Sequence, residues 1–407
     1  MARTRIASLM ASLAALLIGA AAIMSASTPK LEDPLQDQGF VHFYNNEYDQ
    51  AMAIFEQELK QRPNDPALYN HLAQTMLYNE MFRDGALESQ LVSGSNPFLR
   101  RPRMAIGEQD KTRFNGNIDK ALELAQDRLA KDPRDVEALY TEAVAHGLRA
   151  NYLFLVEKAW LDSLHEVTAA RKADERAIEI DHSFVDARLI LGINEYIVGC
   201  LSWGWRTLAS VGGFHGDREG GIRELQLVAQ IGILNRYDAQ ALLAAIYRRE
   251  RQPRRAVPLL QGLAQQFPRN YLFRFEEVEM YSDLGDKQGA LRVLSEIENL
   301  RRSGSPGYST LPAEKVQYLK ANLLFWYGDL DPALTDLRQV TQKADTLDLN
   351  TAVMAWLRLG QVYDLEGKRQ DAVQAYRETV KTAPKSDAAE EAKSYISSPY
   401  RRKRNAG

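Results

Sequence analysis

The stretch Trp356-x₂-Leu359-Gly360-x₂-Tyr363-x₈-Ala372-x₃-Tyr376-x₂-Thr379-x₄-Pro384 decides the fold. Its large and small residues recur at helical spacing in two blocks on either side of the polar segment 366–371, the pattern of two antiparallel helices joined by a turn. Such helices approach closely only where a side chain is small. Gly360 and Ala372 supply that contact, and Trp356, Leu359, Tyr363 and Tyr376 fill the space around it. Pro384 then stops the second helix. No residue of the set is a catalyst, so the stretch encodes packing.

This spacing resembles the tetratricopeptide repeat, with Thr379 in place of the usual third small residue. The same code runs through the chain. Gly39, Ala51, Phe55 and Pro63 mark a first unit, and Pro97 lies 34 residues after Pro63, one repeat period. Segments 67–78 and 83–91 fit a degenerate second unit, and 92–115 read as a loop with the basic cluster Arg100, Arg101 and Arg103. A second helix is expected over 117–133, a further first helix over 136–148, one long helix over 151–180, and another over 185–198. Ala244, Tyr247, Ala256, Leu260, Leu263 and Pro268 form a later unit. Val278, Tyr281, Gly285, Ala290, Leu294 and Ile297 form the next, and Ala321, Leu324, Gly328, Ala333 and Leu337 the one before the opening stretch. A helix over 387–395 caps the series. The expectation is an all-α, right-handed solenoid of about seven antiparallel helix pairs over residues 31–397, with a concave inner face.

Composition agrees with a folded repeat protein. The 45% hydrophobic content supplies a core, and a net charge of -3 gives no bulk attraction to nucleic acid, which is not expected as a partner. Residues 398–407, with Arg401, Arg402, Lys403 and Arg404, read as a solvated basic tail. At the other end, Arg3 and Arg5 precede an apolar run over 6–24 and small residues Ser25, Ala26 and Ser27. Residues 1–27 are a signal peptide cleaved before Thr28, or an uncleaved anchor, the run being long enough at about 19 residues to cross a bilayer. Either places the repeats outside the cytoplasm, exported or tethered to a membrane. The single cysteine, Cys200, excludes an internal disulfide and reads as a buried, inert thiol.

Between 200 and 221 the code fails. Trp203 and Trp205 are followed by Gly212, Gly213, Phe214, Gly216, Asp217, Arg218, Gly220 and Gly221. Asp217 stands where it would cap a helix running from Arg218 towards Gln230, and it disfavours an anion at that helix start. The residues Gly213-Phe214-x-Gly216-Asp217-Arg218-x₂-Gly221, after a Trp-containing helix and before Glu224-Leu225, resemble the signature of the family of tetratricopeptide repeat protein thirty-nine, which includes the yeast inclusion-body-clearance protein and bacterial exported relatives. The resemblance covers residues 185–385. It implies a helical repeat protein without enzymatic activity, linked to lipid droplets, membranes and clearance of aggregates.

Catalytic and metal-binding patterns are lacking in the sequence. The six histidines are scattered, no Cys-x₂-Cys or His-Glu-x₂-His occurs, and no nucleophile elbow is present, so neither enzyme activity, cofactor nor metal is expected. The Lys, Asn, Asn, Lys, Arg set with which some repeat proteins grip a terminal carboxylate is incomplete, with Lys315 and Asn322 in one unit and Asn70 in another. By register, Tyr318, Asn322, Phe325 and Trp326 point to the concave face, with Met354, Leu357, Arg358 and Gln361 alongside. Aromatic and amide groups together suit a protein or peptide partner. The alternative is a lipid or small-molecule pocket at Trp203, Trp205, Phe214, Asp217 and Arg218.

Overall fold

A computed structural model describes residues 34–87, 104, 106–201 and 216–402. Segment 1–27, and with it the choice between signal and anchor, lies outside them, as do Trp203, Trp205 and Phe214. The described residues contain α-helices and short 3₁₀ or π turns and no strand. In chain order the helices are α1 (Gln38–Tyr44), α2 (Tyr48–Gln61), α3 (Pro66–Arg83), α4 (Glu108–Lys131), α5 (Val136–Tyr152), α6 (Trp160–Ile180), α7 (Arg188–Gly199) and α8 (Arg218–Ile231). They continue as α9 (Arg236–Arg249), α10 (Pro253–Gln266), α11 (Tyr271–Asp283), α12 (Lys287–Arg302), α13 (Ala313–Tyr327), α14 (Leu330–Gln342), α15 (Leu349–Leu365), α16 (Arg369–Thr382) and α17 (Asp387–Ser397). They pair in sequence from α1–α2 to α15–α16, eight pairs where about seven were expected, and α17 closes the stack.

The packing code accounts for the pairs. A Cβ placed on Gly360 would stand 2.5 Å from the ring of Tyr376, and one on Gly39 would stand 2.4 Å from Phe55, so each glycine admits an aromatic ring from the second helix of its own pair. Tyr376 and Phe55 are both wholly buried, each contributing about 2–3 kcal/mol by leaving water. Turns between helices carry their own caps. Asp65 accepts from the amide of Ala67, Asp135 from Ala138, Asp286 from Gly289 and Asp348 from Thr351, at 2.7–3.0 Å. Each such cap stabilises its helix by about 1 kcal/mol.

Three expectations are corrected. The helix expected from 117 begins at Glu108, because Glu108 and Asp110 favour the positive end of α4 and Phe114 is buried against Tyr152, with ring centroids 4.6 Å apart. The single helix expected over 151–180 is broken. A π turn at Leu153–Glu157 ends at Lys158, whose φ of 57° is left-handed, and α6 starts afresh at Trp160. The break lets Leu155 and Val156 enter the core, with the Leu155 carbonyl accepting from the amide of Met104. Cys200, expected to be buried, is partly exposed at the edge of the α7–α9 core, because it follows the last residue of α7 and has solvent on one side.

The first pair also reaches far along the chain. Tyr44 stacks on Phe267 with centroids 4.9 Å apart, and its hydroxyl donates to Asp238 at 2.7 Å. The amide of Arg269 donates to Asn45, its guanidinium makes two bonds to Glu47 at 2.7 and 2.9 Å, and Asn270 donates to the carbonyl of Tyr44. Phe82 meets Tyr271 nearby. The turn 45–47 is thus clasped to the turn between α10 and α11, whereas units of a solenoid ordinarily touch only their neighbours.

Candidate functional site

From α11 to α17, helices of like rank approach most closely among the first helices of the pairs, α11 to α13, α13 to α15 and α15 to α17. These helices therefore line the inner, tighter face. On α13, Tyr318, Asn322 and Phe325 fall at i, i+4 and i+7. Met354, Arg358 and Gln361 do so on α15, so each set shares one stripe.

A ladder of contacts runs along these stripes. Arg248 of α9 donates to Glu279 of α11 at 2.8 Å and to Asp283 at 3.1 Å, with Glu276 at 3.7 Å. Glu279 in turn accepts from Asn322 of α13 at 3.3 Å. Burial acts against the charge of Arg248, but the three carboxylates, Glu279 first, outweigh it and hold the guanidinium above its ordinary range. One step on, the guanidinium of Arg358 lies 4.2 Å over the ring of Phe325 and 4.8 Å over that of Trp326, and donates to Gln361 at 2.6 Å. Burial pushes Arg358 down from its usual value. It also holds the carboxyl of Glu391 on α17 up, against the pull of Arg358.

The residues expected on the concave face are therefore gathered together, but most are not free. Tyr318, Asn322, Phe325, Arg358, Gln361 and Leu357 are buried, and Met354 is partly buried against the core. Only Trp326 stands out, 54% exposed. Lys315 is engaged with Asp348 at 2.8 Å, and Asn70 bonds the carbonyl of Thr141, so these two serve packing rather than a shared anion site.

Burial at the ladder's far end comes partly from the C-terminus. Residues 398–402, expected in a solvated tail, turn back across α15 towards α13. The amide of Tyr400 donates to Asp364, its ring lies 6.0 Å from Phe325 and 5.3 Å from Tyr395, and the guanidinium of Arg402 sits 5.0 Å over Phe325 while donating to the Phe325 carbonyl. Asp364, with its side chain 1% exposed, also accepts from Tyr376 and Arg369. Sequence reasoning missed Asp364, Tyr400, Arg402, Glu279 and Arg248. An aromatic residue within an otherwise basic tail, and an Asp one turn after Gly360, were the available signals.

At the insert, Asp217 stands at the N-cap position of α8, but its side chain makes no capping hydrogen bond and instead pairs with Arg223 at 3.2 Å, and Arg218 pairs with Glu250. The described glycines have a packing role. A Cβ on Gly221 would lie 2.4 Å from the carbonyl oxygen of Gly192, and one on Gly216 would lie 2.5 Å from the amide nitrogen of Gly199. Helices α7 and α8 thus meet backbone to backbone. Among the described residues no helix is long and apolar enough to cross a membrane.

Paired helices, glycine–aromatic contacts and a continuous inner face define an all-α helical-repeat protein. Residues 354–386 match the family profile of the tetratricopeptide repeat, and the paired helices carry the same all-α repeat architecture through the described residues. No curated protein matches its sequence. Among solved structures it is similar to a human IFIT1 dimer with m7Gppp-AAAA, at 14% identity over 88% of this chain and 78% of that one, with a TM-score of 0.45. It is also similar to the APC/C hetero-tetramer Cut9-Hcn1, at 15% identity over 93% and 80%, TM-score 0.36. YrrB, a TPR protein with an unusual peptide-binding site, matches at 16% identity over 67% and 99%, TM-score 0.29.

Proposed function

We propose that the chain is a non-catalytic interaction scaffold, exported or tethered to a membrane through residues 1–27, and that it binds a protein or peptide segment on the inner face between α13 and α15. The observation that carries this reading is Trp326, an exposed indole stacked beside a buried guanidinium. Tryptophan and arginine are the residue types that dominate binding energy at protein interfaces, and here they are held side by side by packing rather than by chance contact. The Oδ1 of Asn322 and the Nε of Arg358 are buried with no hydrogen-bond partner, an acceptor and a donor on the same face that a peptide backbone would satisfy.

The test is site-specific photo-crosslinking in the intact envelope. A photoreactive phenylalanine analogue at position 326 is expected to give discrete protein adducts, and the same probe at Arg377 on the outer helix α16 is expected to give none. Equal labelling from both positions, or none from 326, overturns the reading.

A further inference from the structure

The C-terminal segment already occupies the face just described. Its contacts are few and of one kind each. They comprise one backbone hydrogen bond from Tyr400 to Asp364, one aromatic ring set between Phe325 and Tyr395, and one cation, Arg402, at the carbonyl end of α13. Each contact suits its place. Asp364 holds its carboxylate ready through Tyr376 and Arg369, the ring of Phe325 offers its face to a guanidinium, and the C-terminal end of a helix carries partial negative charge. Tyr400 is half-buried while Ser398, Pro399, Arg401 and Arg402 are exposed, and the segment adopts no regular structure. It is held by recognition of a short extended motif, unlike α17, which is buried along a full helical face through Ala388, Ala389 and Ala392.

We propose that residues 399–402 are a resident ligand of the inner face, and that a partner displaces them by presenting the same chemistry: a backbone N–H for Asp364, an aromatic side chain against Phe325 and Tyr395, and a cation two residues further on at the end of α13. The partner's docking segment is therefore an extended, basic peptide of the pattern aromatic-x-Arg. This rests on the reading that the inner face between α13 and α15 is the partner site. A tethered segment competes at an effective concentration on the order of millimolar, so the full chain binds such peptides only after its own tail has left.

The probe is a labelled peptide of residues 397–407, its binding followed by fluorescence anisotropy. The full chain carrying Tyr400→Ala and Arg402→Ala is expected to bind it at least about tenfold more tightly than the unaltered chain. Peptides with Ala in place of Tyr400 or Arg402 are expected to lose that binding. Should the altered chain not fold, a chain with a protease site inserted after Ser398, folded intact and then cut, opens the same face. No peptide binding after cutting overturns the proposal. Equal binding of a scrambled peptide also does so, by reducing the effect to bulk charge. An unaltered chain that sediments as a dimer and is dissociated by Tyr400→Ala overturns the intramolecular assignment in favour of exchange between copies. Peptide binding without crosslinks from position 326 would keep the tail contact and reject the scaffold, so the two readings fail separately.

Discussion

The backbone amide of Tyr400 donates a 2.7 Å hydrogen bond to Oδ2 of Asp364. The same oxygen accepts from the Tyr376 hydroxyl at 2.8 Å, and Oδ1 accepts from Arg369 at 2.9 Å. One carboxylate thereby joins both helices of the last repeat to the returning tail. Replacing it leaves buried donors without a partner, so Asp364→Ala is expected to destabilise the chain by about 3 kcal/mol in chemical denaturation. Below that transition, trypsin should cut after Arg401 and Arg402 faster than in the unaltered chain.

Two helical glycines should respond to alanine with opposite signs. Gly360→Ala forces a methyl group into the ring of Tyr376 and is expected to cost about 1–3 kcal/mol. Gly262 in α10 has open space where its Cβ would stand, so Gly262→Ala should gain about 0.5–1 kcal/mol through helix propensity alone. Urea denaturation of the two variants checks both; a loss at each position would contradict the packing assigned to them.

Asp238 gives a pH dependence of defined sign. Burial holds its carboxyl up to about 6 against an ordinary 3.8, with the Tyr44 hydroxyl acting the other way. Between those values the folded chain keeps a proton that the unfolded chain has released. Stability from this group is fully present below about pH 3.8 and is lost as pH rises through about 6, a change of about 3 kcal/mol. His71, pushed down to about 3 by burial, changes stability in the opposite direction over an overlapping range. The Asp238 contribution is therefore read from the difference between the unaltered chain and Asp238→Asn. The variant, which keeps an acceptor for Tyr44, should gain on the unaltered chain steadily from pH 4 to pH 7.

The clasp is measurable as a coupling. Glu47→Gln and Arg269→Ala, singly and together, should give an interaction energy of about 1 kcal/mol, since both side chains are partly exposed. Hydrogen exchange in α1 and α2 should quicken in each single variant. A coupling of zero would show the two guanidinium bonds to contribute nothing.

The repeat architecture was legible because its code is local. Gly360 with Tyr376 and Gly39 with Phe55 sit within one pair each, and the start of α8 at Arg218 follows from its Asp217 cap position. Register alone also placed Tyr318, Asn322 and Phe325 on one stripe of α13 and Met354, Arg358 and Gln361 on one stripe of α15. It could not show that most are covered, because the cover comes from Glu279 one repeat earlier, Glu391 two helices later and a tail whose composition reads as solvated. Spacing within a helix fixes which way a side chain points; it carries no information on what arrives there from elsewhere in the chain. The broken helix at Lys158 escaped for a related reason, since the residue in the left-handed region is neither Gly nor Asn.

The contact between the first turn and the turn before α11 bears on how the chain acquires its structure. In a ribbon of repeats each unit can consolidate as soon as its neighbour is made. Here Tyr44 and Glu47 find Phe267 and Arg269 only after more than half of the chain has been supplied, so the leading end stays incomplete until the middle has formed. Closing that long loop carries an entropic cost before its contacts reward it, which slows consolidation of the leading end. Once closed, fraying from the leading end must break a ring instead of peeling off a terminal unit, so the five pairs up to α10 resist opening one at a time.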